Sequence, residues 1–220
     1  MKKQNFFMLI ANKNLPNYLT IFRLLIVIPY IILFSLIAYR INYPGSLVID
    51  LKSIWSVNFI IFIIAMITDF FDGYLARKYK NVSIFGKLFD PIADKIMINT
   101  TLIFLAITNL TFAWVVVLFI LRDIVVDGAR NLMASKGVEV AASIWGKLKT
   151  VFQTLAIIIL FAIAIPFYGN DLLINLNISM MAFVALINIP TFVALIMSYI
   201  SGYLYLKPLF KYLKISKKSN

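Results

Sequence analysis

Long charge-free stretches alternate with short polar clusters along most of this chain. Residues 24–36, 53–68, 96–121, 151–170 and 172–206 contain no Asp, Glu, Lys or Arg. Runs of this length match the roughly 20 apolar residues that a helix needs to cross a bilayer. They predict six spans, at about 18–39, 52–73, 90–108, 112–134, 148–167 and 178–204. The last is long for one helix, long enough to leave the membrane before Lys207. Turn-forming residues fall between spans: Asn42-Tyr43-Pro44-Gly45, Asn109-Leu110-Thr111 and Tyr168-Gly169-Asn170-Asp171. The expected fold is all-α, a single integral membrane bundle over residues 15–206 with no internal repeat or linker. Residues 1–14 mix lysines with Phe6, Phe7, Met8, Leu9 and Ile10. That composition suits a short helix lying in the membrane interface, or a frayed tail. No small-residue cleavage site follows it, so it does not read as a cleaved signal peptide. Residues 207–220 form a basic tail.

Composition sharpens this picture. Of 220 residues, 62% are hydrophobic and 14% charged, whereas a soluble domain is about half apolar and a quarter charged. The net charge of +12 raises nucleic acid as a partner, but the charges are placed for a membrane surface. With six spans, one side collects Lys2, Lys3, Lys13, Arg23, Arg77, Lys78, Lys80, Lys87, Lys95, Arg130, Lys136, Lys147, Lys149 and the lysines of the tail. The other side holds Arg40 and Lys52. This asymmetry puts both termini and the basic loops in the cytoplasm, where a basic tail beside anionic lipid is favourable. No nucleic-acid motif or stacking-aromatic pattern is present. Cysteine and histidine are absent, which excludes disulfides, Cys/His zinc sites and histidine acid–base chemistry. Chemistry here must run on carboxylates, hydroxyls, lysines, arginines and metal.

Four of the nine acids crowd the ends of spans two and three: Asp69, Asp72, Asp90 and Asp94. An aspartate at the centre of a membrane helix costs about 2.5–3.5 kcal/mol, less toward the interface. Four of them require compensation, which a shared cation would supply. Asp69 and Asp72 are three apart and Asp90 and Asp94 four apart, so each pair lies on one helical face. Antiparallel helices would bring the two pairs to the same cytoplasmic depth. Hard oxygen ligands grouped in this way suit Mg²⁺ or Mn²⁺, and four carboxylates could hold two ions. Each acid also has a purely structural reading. Asp90 before Pro91 could be the N-cap of span three. Asp94 would then suit the first turn of that helix. Asp69 and Asp72 could pair with Arg77 and Lys78 at a solvated helix end, with Gly73 as the C-cap. What these readings leave unexplained is a shared depth and face for all four. Gly73 and Gly86 remove side chains beside the cluster, which would let a diphosphate approach, and Arg77 could bind it.

The run Asp69-Phe70-Phe71-Asp72-Gly73-Tyr74-Leu75-Ala76-Arg77, then eight residues, Gly86, three residues, Asp90, three residues and Asp94 resembles the signature of the CDP-alcohol phosphotransferase family, with all eight defining positions at the family spacing. The resemblance extends beyond this motif, from about residue 12 to 155. Asn14 to Arg23, residues 68–95 and Trp145 to Gln153 are similar to segments of the family's bacterial phosphatidylglycerophosphate synthases. Asp123 departs from the pattern, because glutamate is expected there; the charge is the same.

The resemblance implies roles. Asp69, Asp72 and Asp90 would bind the metals, with Asp94 contributing as a ligand and acting as general base. Asn17, Thr20, Asp72, Gly73, Ala76, Arg77, Ser83 and Gly86 would line the CDP-lipid. Family members are homodimers. The implied reaction is attack by an acceptor hydroxyl on the phosphorus of CDP-diacylglycerol that bears the diacylglycerol, with loss of CMP. The favoured acceptor is sn-glycerol 3-phosphate, a dianion that needs cations; Arg122, Arg130, Lys147 and Lys149 are the candidates. Lys147 and Lys149 also suit ordinary cytoplasmic-side topology, as phosphate binding is not required to place them there. A cardiolipin synthase or an inositol-phosphate transferase would share the metal motif. A cation transporter would also use intramembrane aspartates, but near the midplane on broken helices.

Overall fold

The computed structural model describes residues 15–43, 45, 50–78, 84–136, 144–168 and 179–216. Among these residues the fold is all-helical: α1 Leu15–Asn42, α2 Leu51–Lys78, α3 Ile84–Ile107, α4 Ala113–Ser135, α5 Ile144–Tyr168, α6 Ser179–Ile187 and α7 Ile189–Ser216. Four of them contain stretches long and apolar enough to cross a bilayer: Asn17–Asn42, Leu51–Tyr74, Ile144–Pro166 and Ile189–Phe210. In α3 and α4 the charged residues Asp90, Asp94, Lys95, Arg122, Asp123, Asp127 and Arg130 interrupt the apolar run. The expected interfacial helix at 1–14 lies outside the described residues.

Besides α7, which continues through the expected basic tail to Ser216, three boundaries differ from the sequence reading. α2 continues through Gly73 to Lys78, so Gly73 is no C-cap. A glycine inside a helix costs about 1 kcal/mol, but Leu75, Ala76, Arg77 and Lys78 that follow are all strong helix formers. α3 begins at Ile84 rather than near Asp90. Asp90 therefore lies within the helix instead of capping it, and Asp94 is well past the first turn. Pro91 within α3 gives no backbone N–H, a loss that helices in a membrane protein tolerate. The third difference is the final span, which is split into α6 and α7 at Asn188. Pro190 cannot donate to the carbonyl four residues back, and the Asn188 side chain fixes the break. Its amide donates to the carbonyls of Val184 and Leu110, both at 2.8 Å, and its oxygen accepts from the Thr111 hydroxyl at 2.6 Å.

Backbone contacts divide the chain into two compact units. Among the described residues, the first takes in α1, α2 and α3 as far as Phe104. Its apolar and polar residues are distributed as a membrane solvent demands. Leu25, Ile28 and Ile32 of α1 are exposed while Thr20, Arg23 and Asn58 are buried, the reverse of a water-soluble helix. Aromatic packing builds the interior. Phe34 meets Tyr30 and Trp55 edge-on at centroid distances of 4.9 and 5.5 Å, and stacks on Phe104 at 5.0 Å. Such pairs add about 0.5–1.5 kcal/mol beyond burial. The Tyr30 hydroxyl meets the Thr101 hydroxyl at 2.8 Å, tying α1 to α3. Asp50 caps α2 by accepting from the backbone N–H groups of Lys52 and Ser53 at 3.1 and 3.2 Å and from the Ser53 hydroxyl. The Ser53 hydroxyl, then these N–H groups, hold its carboxyl below the usual range. Gly45, at φ 90°, takes a left-handed conformation in the turn that the sequence marks there.

The second unit comprises the last turn of α3 and helices α4 to α7. Asn109 turns the chain between α3 and α4 at φ 59°, a conformation asparagine tolerates. α4 packs against α7, and Gly202 permits a close approach: a Cβ there would lie 3.2 Å from Nε of Arg122. At the other end of α4, Phe112 and Trp114 stack on Phe192 at 6.0 and 5.9 Å.

Candidate active site

The expected acidic site belongs to the first unit. Asp69 and Asp72, one turn apart on α2, meet on a single partner: Arg23 of α1. One terminal nitrogen of its guanidinium donates to Oδ1 of Asp69 and the other to Oδ2 of Asp72. Arg23 and Asp72 are only 1% and 2% exposed, whereas the Asp69 side chain is 37% exposed. The carboxylate pair thus reaches from the buried interior to a partly open edge. Two carboxylates on one cation solve the problem their spacing posed, because their mutual repulsion and desolvation are offset by a forked, charge-assisted contact.

Thr20 is buried and Asn17 half-buried on α1. With Arg23 they recur every three residues, so one face of α1 carries all three. Gly73 is half-buried beside Asp72 on α2, and Asp94 is half-buried on α3. Among the described residues, no group of three or more acidic side chains converges; Asp94 does not join Asp69 and Asp72 in one. The backbone at Ala76, Arg77, Gly86 and Asp90 is helical, but their side chains, and Ser83 altogether, lie outside the described residues. The donors do suit a divalent ion: hard carboxylate oxygens, paired at one point, already serving a cation.

Sequence reasoning missed Arg23, which it counted with the cytoplasmic charges. The clue was available. An arginine inside an apolar helix is costly unless paired, and it shares a face with Asn17 and Thr20.

The expected phosphate-binding cations belong to the second unit, and Asp123 organises two of them. Nζ of Lys149 on α5 donates to both oxygens of Asp123 at 2.8 Å, and a terminal nitrogen of Arg122 donates to Oδ1 at 2.8 Å. Nε of Arg122 donates to the Ser198 carbonyl of α7 at 2.8 Å. Asp123 and Lys149 are buried, so three helices converge on a desolvated ion triad. It was legible as a composition anomaly, an acid next to Arg122 on a largely apolar helix, but not as a partnership. Arg130 is exposed, its guanidinium 5.3 Å from the centre of the Tyr205 ring. The Lys147 side chain lies outside the described residues. Beside Arg122, a cavity of about 270 Å³ opens between α4 and α7, lined by Leu121, Val125, Val126, Tyr199, Gly202, Tyr203 and Leu206.

A family model described as CDP-alcohol phosphatidyltransferase matches residues 13–200. The chain is also similar to three proteins named CDP-diacylglycerol–glycerol-3-phosphate 3-phosphatidyltransferase. The one from Mycoplasma pneumoniae is 34% identical over 211 residues, 94% of this chain and 92% of the relative. The Rickettsia felis protein is 44% identical over 149 residues, 68% of this chain and 75% of the relative. The Bacillus subtilis protein is 39% identical over 157 residues, 70% and 79% of the two chains.

Proposed function

This chain belongs to the CDP-alcohol phosphatidyltransferase family, and we propose that it transfers the phosphatidyl group of CDP-diacylglycerol to sn-glycerol 3-phosphate, giving phosphatidylglycerophosphate and CMP. The observation that carries this reading is the pairing of Asp69 and Asp72 on one cation, within a motif that continues to Gly86, Asp90 and Asp94. The names of these relatives favour glycerol 3-phosphate as the acceptor.

The mechanism follows from these residues. Asp69, Asp72 and Asp90, with Asp94 beside them, would hold Mg²⁺ or Mn²⁺, two ions in the full reading. Bound metal supplies neutralisation of the diphosphate and of the departing CMP. Asn17, Thr20, Gly73, Ala76, Arg77, Ser83 and Gly86 position the CDP-lipid. Asp94 accepts the proton of the acceptor hydroxyl. The bond from that oxygen to phosphorus forms as the bond to CMP breaks, and CMP leaves with the electron pair. Positioning and electrostatics dominate such transfers. Arg122, Arg130, Lys147 and Lys149 bind the acceptor phosphate. Asp123 orients Arg122 and Lys149 and reduces the triad to a net single positive charge.

The same reading places six spans in the cell membrane, with α6 and α7 sharing the last and both termini and the site cytoplasmic. Lysine and arginine asymmetry supports this orientation. Assembly as a homodimer rests on the family resemblance.

The test is an acceptor panel scored by CMP release. Purified protein with CDP-diacylglycerol and Mg²⁺ is expected to release CMP with glycerol 3-phosphate, and far less with phosphatidylglycerol, inositol phosphate or serine. Excess EDTA is expected to stop it. A preference for phosphatidylglycerol would make the chain a cardiolipin synthase and remove the phosphate pocket. Full turnover in EDTA would remove the metal.

A further inference from the structure

Arg23 has no part in the mechanism above, yet it is the most deeply buried charge among the described residues of the first unit. It is 1% exposed and takes one oxygen from each of two carboxylates assigned to metal. Its third donor, Nε–H, finds no hydrogen-bond partner among the described residues. Among the described residues, the guanidinium is held through its two terminal nitrogens by Asp69 and Asp72.

A forked guanidinium and a divalent ion ask for the same carboxylate oxygens. They also repel each other, most strongly where water is excluded. We propose that Arg23 is an internal counter-cation that competes with divalent metal for Asp69 and Asp72. It compensates the two carboxylates while the α1–α2 pair assembles, and it weakens metal binding at this point of the site. This inference rests on the metal-dependent reading above and adds a positioning residue to it. Arg23 sets the affinity and separation of the carboxylates without touching the reacting atoms.

Two consequences follow. Loss of the guanidinium removes the cation that the two carboxylates share, so the protein without divalent metal loses stability. The same loss removes the competitor, so divalent affinity rises. A merely structural arginine would give the first effect with an unchanged or weaker affinity.

The experiment measures Mn²⁺ binding to purified protein in detergent, without substrates, from the EPR signal of free aqueous Mn²⁺, alongside thermal unfolding with and without Mn²⁺. Arg23→Gln is expected to bind Mn²⁺ at least about tenfold more tightly than wild type, equal to about 1.4 kcal/mol. Its melting temperature should fall without metal, and saturating Mn²⁺ should close most of that deficit. Arg23→Lys keeps the charge but cannot fork across two carboxylates, so its affinity should lie between the two; it also decides the matter if Arg23→Gln fails to fold. Affinity equal to or below wild type in whichever variants fold would overturn the proposal. Asp69→Asn provides the control for the site itself and should weaken binding. Absence of Mn²⁺ binding by wild type would remove the metal reading and this inference together, whereas binding that Arg23 does not influence would remove this inference alone.

Discussion

Asp94→Asn protein is expected to bind CDP-diacylglycerol normally and to turn over about 10²–10⁴-fold more slowly, the usual contribution of a positioned general base. Asp94 lies on α3, one turn beyond Asp90, and is half-buried. Asparagine keeps the shape and a hydrogen-bonding oxygen but cannot take the acceptor's proton. The combination of readouts separates two roles. If Asp94 acts chiefly as the base, kcat falls while Mn²⁺ affinity and CDP-lipid affinity stay within about threefold of wild type. If it acts chiefly as a ligand, Mn²⁺ binding falls with it. A near-normal kcat would show that another group accepts the proton.

Asp123→Ala is expected to lose about 3–5 kcal/mol of stability, because it removes the buried carboxylate that accepts from the Lys149 ammonium and from one arm of Arg122. Asp123 is the anion on which α4 and α5 meet, at 2.8 Å from both cations. The Ser198 carbonyl retains Nε of Arg122, so Lys149 bears most of the damage. Adding Lys149→Met should restore much of the loss, since an apolar side chain of similar length has no charge to strand. Reversible unfolding in mixed detergent micelles measures both, and the double-mutant cycle gives the pair's coupling. A single variant within about 1 kcal/mol of wild type would mean that water reaches Lys149 freely and that the triad is not a structural clamp.

Much of the helical fold is legible in the sequence, and the exceptions have physical causes. The uncharged runs located α1, α2 and α5, whose apolar stretches are long enough to cross a bilayer, and the turn residues Asn109-Leu110-Thr111 divided the run at 96–121 between α3 and α4. The final run read as one span because hydropathy does not register a missing N–H, and Pro190 with Asn188 breaks the helix there. The ends of α2 and α3 were drawn too short for the opposite reason. Gly73 and Asp90-Pro91 look like a cap on each side, but a glycine and a proline can both be carried inside helices whose neighbouring residues favour continuation. In the site, spacing alone paired Asp69 with Asp72, since three positions on a helix is a local relation. Their partner Arg23 lies 46 and 49 positions away, and Lys149 lies 26 from Asp123. Distances of that kind depend on how helices pack, which a periodic pattern does not encode. A pairing rule narrows the choice, since charges carried on apolar helices almost always find a partner.

The most direct measurement follows the phosphorus. CDP-diacylglycerol labelled with ³²P in the phosphate next to the diacylglycerol is given to purified protein with Mg²⁺ and unlabelled glycerol 3-phosphate. Phosphatidyl transfer predicts that all the reacted label stays in the lipid, that the lipid carries a second, unlabelled phosphate, and that one unlabelled CMP appears for each product molecule. Labelled CDP, or CMP released without a new two-phosphate lipid, would contradict it.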